Sequence, residues 1–141
     1  MRSTPLHIAG FSLLMGLSGG FAVAAPGTYP TMAPVAQYMM PSRDAEIALA
    51  RSAAPPSISA DAEVLVMGPH GYETAVKGKN GFVCLVFRSF TASFGDRIFW
   101  WPAGRGPNCY NAAAARSVLP HDIERTQWAL SGLTQAQMIE R

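Results

Sequence analysis

The sequence predicts an α+β fold, a small antiparallel β-meander of about three strands with three or four short helices. Three runs rich in Val, Leu and aromatic residues lie between positions 62 and 88, and Gly-containing tetrapeptides separate them. Segments with helix-start residues and many alanines precede and follow these runs. Because strands cluster in the middle and helices at the two ends, the pattern favours segregated helices over alternating βαβ units, and we expect the helices on one face.

The first 24 residues are predicted to be a secretory signal peptide. Arg2 supplies a positive n-region, residues 8–21 are apolar, and Ala22-Val23-Ala24 fits the small-x-small cleavage pattern. An uncleaved membrane anchor is the alternative, but this run is shorter than the roughly 20 apolar residues that span a bilayer. The sequence therefore predicts export to the periplasm or the extracellular space, with no membrane attachment after cleavage.

The charge of the chain argues against a nucleic-acid partner. Removal of Arg2 with the signal leaves ten basic and nine acidic side chains, a formal charge of +1, which offers no electrostatic footprint for nucleic acid. Charged residues make up 14% of the chain, below the roughly 25% of typical domains. A surface with so few charges suggests that something covers part of it, and that partner is unknown: a missing C-terminal part of the chain or another protein.

Residues 25–41 are interpreted as a Pro-rich linker, either a free tether or an arm along the domain, and residues 42–141 as the domain. Ser42 is a suitable N-cap, and acidic residues in the following turn favour a helix over 43–54 that Pro55-Pro56 ends.

The strand-like runs are 62–67, 72–77 and 82–88. Their connections, GPHG at 68–71 and GKNG at 78–81, are typical of hairpin turns, and Asn-Gly is a favoured hairpin pair. Apolar residues occupy both faces of the third run, which predicts that it is the most buried strand.

Residues 89–111 are rich in aromatics and show no regular period. Two helices are expected after them, over 111–119 and 121–131, with Gly132 ending the second. Thr134-Gln135-Ala136-Gln137 is a capping box that starts another helix, yet the chain ends at Arg141. We interpret this as a C-terminal truncation, with a frayed natural terminus as the alternative.

The two cysteines, Cys84 and Cys109, are predicted to form a disulfide, because both lie in the exported part of the chain. The bridge would close a loop of about 25 residues and stabilise the fold by roughly 3–4 kcal/mol. Two inert thiols, or a reactive or metal-binding thiol, are the alternatives. His70 and His121 lack the spacing of zinc ligands, so no metal site, no cofactor and no catalytic residue is predicted.

The aromatic loop, residues 93–108, is the one predicted ligand-binding segment. Adjacent Trp100 and Trp101 cannot easily both face the core, and Arg97 and Arg105 lie close to them in sequence. Exposed aromatics beside arginines are suited to stacking on a sugar or an aromatic ligand, or to docking a partner. Burial of the aromatics beneath the loop is the alternative.

Three stretches resemble a family of uncharacterised exported bacterial proteins: RDAEIALARSAAP at 43–55, HGYETAVKGKNGFVCLV at 70–86 and RSVLP at 116–120. The family has no assigned activity, so the resemblance implies a compartment and no mechanism. The resemblance implies that members of the family continue beyond this endpoint into a His-containing segment that would suit a metal, which agrees with truncation. Phe87 stands where the family implies an acidic residue.

The functional prediction is an exported, non-catalytic packing or partner-binding domain. The first alternative is the N-terminal part of an exported hydrolase-like or metal-dependent enzyme whose catalytic residues lie beyond Arg141. The second is a small-ligand binder that uses the aromatic loop 93–108.

Overall fold

The computed structural model describes residues 29–141, and the predicted signal peptide lies outside this range. Five α-helices and four β-strands confirm the α+β class. The helices are α1 (Arg43–Arg51), α2 (Pro56–Ser59), α3 (Ala112–Ser117), α4 (Leu119–Leu130) and α5 (Gln135–Ile139). The strands are β1 (Glu63–Gly68), β2 (Gly71–Val76), β3 (Val83–Arg88) and β4 (Arg105–Tyr110). Short 3-10 helices cover Val35–Tyr38 and Ser89–Thr91.

The sheet is mixed, with the strand order β2-β1-β3-β4. The predicted hairpin between β1 and β2 is present, but β3 pairs in parallel with β1 instead of antiparallel with β2, so the meander prediction is wrong at this pairing. Residues 78–81 do not turn the chain back. They carry it past the start of β1, where the Lys79 amide donates to the Asp61 carbonyl and the Glu63 amide donates to the Phe82 carbonyl, both at 2.8 Å.

Gly78 permits this crossing. A Cβ at position 78 would lie 2.2 Å from the Glu63 nitrogen and 2.9 Å from its Cα. Both atoms belong to the backbone and have no freedom to move aside, so the connection accepts only glycine at its closest approach.

The fourth strand forms within the segment for which the sequence showed no regular period. All six residues of β4 pair antiparallel with β3. The local sequence of β4 has little β propensity, so its extended structure depends on pairing with β3. Pro107 has no amide to donate, and an edge strand such as β4 tolerates it.

Helices cover both faces of the sheet, and the expectation of one covered face is wrong. On one face, α1 packs over an apolar cluster that includes Val64, Cys84 and Val86. On the other, Leu119 of α4 packs against Leu65 and Leu85. The alternation of apolar residues to both sides of β3 requires this arrangement, because each side needs its own cover. The prediction of a deeply buried third strand agrees with it, since Cys84, Leu85 and Val86 are fully buried.

The described part of the predicted linker, residues 29–41, packs against the domain. Tyr38 is fully buried among Phe90 and Trp100, and Met32 and Met39 pack against the same cluster. The segment therefore lies along the domain as an arm, and we call residues 29–41 the N-terminal arm.

Cys84 and Cys109 lie directly opposite each other on β3 and β4, with Cα atoms 4.0 Å apart, and their sulfurs are bonded. The predicted disulfide is confirmed. It crosslinks the central strand to the edge strand and so fixes the far end of the aromatic segment.

A buried ion pair lies where β1 and β3 separate. The two strands pair only at Glu63–Val83 and Val64–Cys84. Further along, the Glu46 side chain of α1 connects the two strands in place of direct backbone hydrogen bonds. Its carboxylate accepts hydrogen bonds from the Met67 amide of β1 at 3.0 Å and from the Arg88 guanidinium of β3 at 2.9 Å.

The remaining donors of Arg88 are also satisfied. Its Nε donates to the Tyr38 carbonyl at 2.7 Å, and another guanidinium nitrogen donates to the Val86 carbonyl. The side chains of Arg88 and Glu46 are 0% and 3% exposed. One guanidinium thereby connects α1, β3 and the N-terminal arm inside the protein.

We predict that Glu46→Ala destabilises the protein by about 3–5 kcal/mol, because it leaves the Arg88 charge buried without its partner. Urea unfolding measures the effect. Glu73→Ala is the matched control, since the Arg43–Glu73 pair is exposed and contributes about 0–1 kcal/mol. The double variant Glu46→Leu/Arg88→Met is expected to recover part of the loss. Equal effects of Glu46→Ala and Glu73→Ala would contradict the structural role of the buried pair.

Reduction of the disulfide is expected to lower the free energy of unfolding by about 2–4 kcal/mol, because the unfolded chain gains the freedom of an open loop. Urea unfolding with and without reductant measures this in wild type, and Cys109→Ser provides the genetic equivalent. Wild-type protein isolated without reductant should show no alkylatable thiol until it is unfolded and reduced. Two thiols that react before reduction would refute the crosslink.

Candidate functional site

The structure does not bring the four predicted ligand-binding residues into one site. Trp100 is 3% exposed and packs in the core, and its ring meets Phe99 edge to face with centroids 4.6 Å apart. Trp101 is half-buried and Arg97 is exposed. Trp101 and Arg105 line one cavity together, of about 330 Å³, while Arg97 and Trp100 do not line it.

Arg105 is half-buried and its guanidinium bonds to backbone carbonyls. One terminal nitrogen donates to the carbonyls of Pro102 and Gly104, and the other to those of Gln37 and Met39 at 3.2 and 3.3 Å. Burial lowers the pKa of Arg105, and the positive charge of Arg88 lowers it further. The side chain therefore holds the N-terminal arm and the aromatic loop in place.

Arg88 and Arg105 form a pair, because they lie opposite each other on β3 and β4. Between them they bond the carbonyls of residues 37, 38 and 39, where the first 3-10 helix ends. The carbonyls at the end of a helix lack partners within it and carry partial negative charge. Two cations side by side are thus stabilised by the arm, and the arm is fixed by them.

Tyr38 anchors the same arm from within. Its hydroxyl donates to the Trp100 carbonyl at 2.7 Å and accepts from the Ala33 amide at 3.3 Å. Burial raises the pKa of this phenol, which keeps the hydroxyl in its donating form.

A groove of about 540 Å³ lies between the arm and the last two helices. Arm residues 30–35 form one wall, and Ala129, Leu130 and residues 132–135 form the other, with Trp100 also lining it. The lining is apolar apart from Thr31, Thr134 and Gln135 and includes no ionisable side chain. A volume within the roughly 300–1,000 Å³ of ordinary binding pockets and a neutral surface make this groove the best-formed candidate site.

A second, mostly polar cavity adjoins the groove along α5. Leu133 lines both the groove and this cavity of about 310 Å³, whose other lining residues are Gln137, Glu140 and Arg141. Ile139 is 59% exposed and follows Gln135, a lining residue, by four positions. Positions four apart share a helix face, so Ile139 lies one turn further along the same face of α5 as Gln135. We call the groove together with Leu133 and Ile139 the C-terminal apolar surface.

Sequence reasoning missed Glu46 and Arg88. Glu46 is one of the acidic residues that favour the start of α1, and Arg88 ends the third strand-like run with no role predicted for it. An arginine at the end of a strand that is apolar on both faces is a signal for a buried cation, and its carboxylate partner lies 42 positions earlier. The groove left no local signal, because it is assembled from segments that are distant in sequence.

Titratable groups do not gather into a metal centre in the described part of the chain. Across residues 29–141 the structure shows no group of three or more His, Cys, Asp or Glu side chains that would hold an ion, and His70 and His121 are exposed. None of the helices in the same range has the length and apolarity to cross a bilayer.

No protein-family model, curated protein or solved structure matches this chain. The resemblance to uncharacterised exported proteins stays a prediction, and the class of the protein rests on its own geometry: a small α+β domain crosslinked by one disulfide, with a neutral apolar groove.

We predict that Arg105→Met releases the N-terminal arm without unfolding the sheet, because it removes the bonds to Gln37 and Met39 while Arg88 keeps its own bond to Tyr38. Hydrogen exchange of the amides in residues 29–41 should accelerate roughly five- to thirtyfold, the effect of losing one or two hydrogen bonds of about 1 kcal/mol each.

Arg97→Met is the matched control for this experiment, since Arg97 is exposed, and it should leave exchange in the arm unchanged. Arg105→Lys should restore little protection, because an ammonium lacks the fork of donors that reaches both carbonyls. Unchanged exchange in Arg105→Met would disprove the role assigned to this side chain.

Proposed function

We propose that the protein is an exported, non-catalytic domain that binds a partner polypeptide through the C-terminal apolar surface. The observation that carries the proposal is the neutral groove of about 540 Å³, beside which the adjoining helix α5 exposes Ile139. Export itself is supported by the signal-like N-terminus and by the disulfide, because disulfides persist in oxidising compartments.

The shape of the surface favours a chain over a compact ligand. The groove and the neighbouring cavity share Leu133 and together extend along α5, so one elongated occupant contacts both. An extended segment of a polypeptide has this form, with side chains that fill successive depressions.

The chemistry of the lining selects the composition of that segment. A charged side chain in the groove would lose its hydration with no opposite charge to meet it, since the lining has no ionisable group. Apolar side chains gain from burial there at about 25 cal/mol per Å². The partner segment is therefore uncharged and apolar where it enters the groove, and its polar end lies towards Glu140 and Arg141.

The absence of ionisable groups from the lining also distinguishes binding from catalysis at this site. General acid–base chemistry requires a titratable side chain within hydrogen-bond reach of the reacting atoms. The groove lining offers two threonine hydroxyls and one amide side chain. The Thr134 hydroxyl is already used in the capping box of α5, which leaves contact and shape as the means of recognition.

Selection from a displayed library of random twelve-residue peptides tests the proposal. Wild-type protein should enrich uncharged, apolar peptides, and Ile139→Asp should weaken a selected peptide about tenfold, the effect of roughly 1.4 kcal/mol. Val118→Asp is the matched control, since Val118 is also exposed, at 47%, but follows α3 and lies outside the C-terminal apolar surface, and it should bind as wild type.

A second measurement locates the bound peptide. Trp100 becomes the only tryptophan in the variant Trp101→Phe/Trp128→Phe, and its emission should shift when a selected peptide enters the groove. The proposal fails if no peptide is enriched, if the enriched peptides are charged, or if Ile139→Asp and Val118→Asp weaken binding equally.

A further inference from the structure

Two uncharged segments meet at the groove. Residues 29–42 and 126–139 contain no Asp, Glu, Lys, Arg or His, and they are the two longest uncharged stretches within residues 29–141. At the roughly 25% of charged residues in a typical domain, about seven charges would be expected among them. Every lining residue of the groove except Trp100 lies in one of these segments. Depletion of charged residues is typical of the core of an interface between protein chains.

Ile139 is exposed beside this groove. Its side chain is 59% exposed, the more exposed of the two large hydrophobic residues that face solvent in the described part of the chain. Gln135 lines the groove, and the four residues from Gln135 to Ile139 span about 6 Å of helix α5. An apolar side chain and an apolar depression thus lie side by side along the same short helix.

A two-fold axis between these two features satisfies both of them at once. In a two-fold dimer the same surface meets itself, so that when residue i contacts residue j, residue j also contacts residue i. With the two copies of α5 antiparallel, Ile139 of each copy lies opposite Gln135 of the other, at the edge of its groove. Two-fold dimers are the commonest soluble oligomers, and homodimer interfaces are more apolar than interfaces between independent proteins.

The second copy also supplies the uncharged segment that the groove selects. A charged side chain would lose its hydration in the groove, whereas the stretch that ends at Ile139 carries no charge. Glu140 follows Ile139 directly, but it lines the neighbouring cavity instead of the groove. Ile139 therefore enters the groove of another copy without bringing a charge into it.

We propose that a second copy of this chain occupies the groove, and that the protein is a two-fold dimer joined by reciprocal insertion of Ile139. The inference rests on the proposed function, because it names the polypeptide that the C-terminal apolar surface binds. Each dimer contains the contact between Ile139 and the groove twice, so a substitution on either side of this contact acts twice on the dissociation constant.

Sedimentation velocity of the purified full chain at about 1–200 μM measures the dimer, for which we expect a Kd of about 10 μM. Ile139→Asp should raise this Kd about hundredfold, tenfold for each of the two contacts. Thr31→Arg should act equally from the other side, because Thr31 is an exposed lining residue and the larger side chain fills the groove. Val118→Asp is the matched control and should dimerise as wild type, since Val118 is exposed outside this surface.

A mixture of the two disrupted variants tests the reciprocity. Ile139→Asp and Thr31→Arg should each be monomeric alone, but the mixed dimer keeps one wild-type Ile139 against one wild-type groove. At its second contact the introduced carboxylate meets the introduced guanidinium. The mixed dimer should therefore form with a Kd within about tenfold of the wild-type value. Two misfolded variants would not recover dimerisation, so recovery also shows that both variants are folded.

The outcomes separate this inference from partner binding in general. A peptide selected on the groove should dissociate the dimer, because both compete for one site. Wild type that stays monomeric up to about 200 μM but binds selected peptides would overturn the dimer and leave partner binding intact. Dimerisation with the expected variant effects and no enriched peptide would support the inference, whereas binding of other polypeptides would fail.

Three further results would overturn the inference. They are a dimer that survives Ile139→Asp, a dimer that keeps a selected peptide bound in its groove, and a mixture of the two variants that stays monomeric. The first two results would place the dimer interface on another surface, and the third would exclude the reciprocal contact.

Discussion

The ion pair between Glu46 and Arg88 determines how the layers of this protein fit together. The two central strands separate after two paired positions, and the carboxylate and guanidinium occupy the gap. Such a pair adds little net stability, because removing two charges from water costs nearly as much as their attraction returns. The pair instead fixes positions: it joins α1 to the Met67 amide of β1 and to Arg88 of β3, and Arg88 in turn joins the N-terminal arm.

The candidate sites follow from this constraint. Arg88 and Arg105 fix the end of the first 3-10 helix, and the arm residues before it then form one wall of the groove. The disulfide holds β4 to β3, the two strands that the aromatic loop connects, and residues of that loop line the smaller cavity. The neutral groove thus depends on a charged interior. Arg88 and Arg105 line only the smaller cavity, and their guanidinium groups are bonded to protein groups.

Much of the fold was predictable from local patterns, and the sites were not. Turn residues indicated the β1–β2 hairpin, the doubly apolar run indicated β3, and two cysteines in the part of the chain predicted to be exported indicated the Cys84–Cys109 bond. The strand Arg105–Tyr110 was missed because it depends on its partner instead of its own propensity. Glu46 and Arg88 were missed for a related reason, since partners 42 residues apart leave no mark in any short window. The predicted binding residues were separated because one of two adjacent tryptophans entered the core.

The close approach at Gly78 also explains why local sequence and final topology disagree in this protein. The Asn80-Gly81 pair favours a direct return of the chain, which would leave the first strand at the border of the sheet and its outer amides open to solvent. The observed connection places that strand in the interior of the sheet. This connection requires glycine at position 78, because the Cβ of any other residue would collide with the Glu63 backbone. Glycine at position 78 is therefore a requirement of this connectivity.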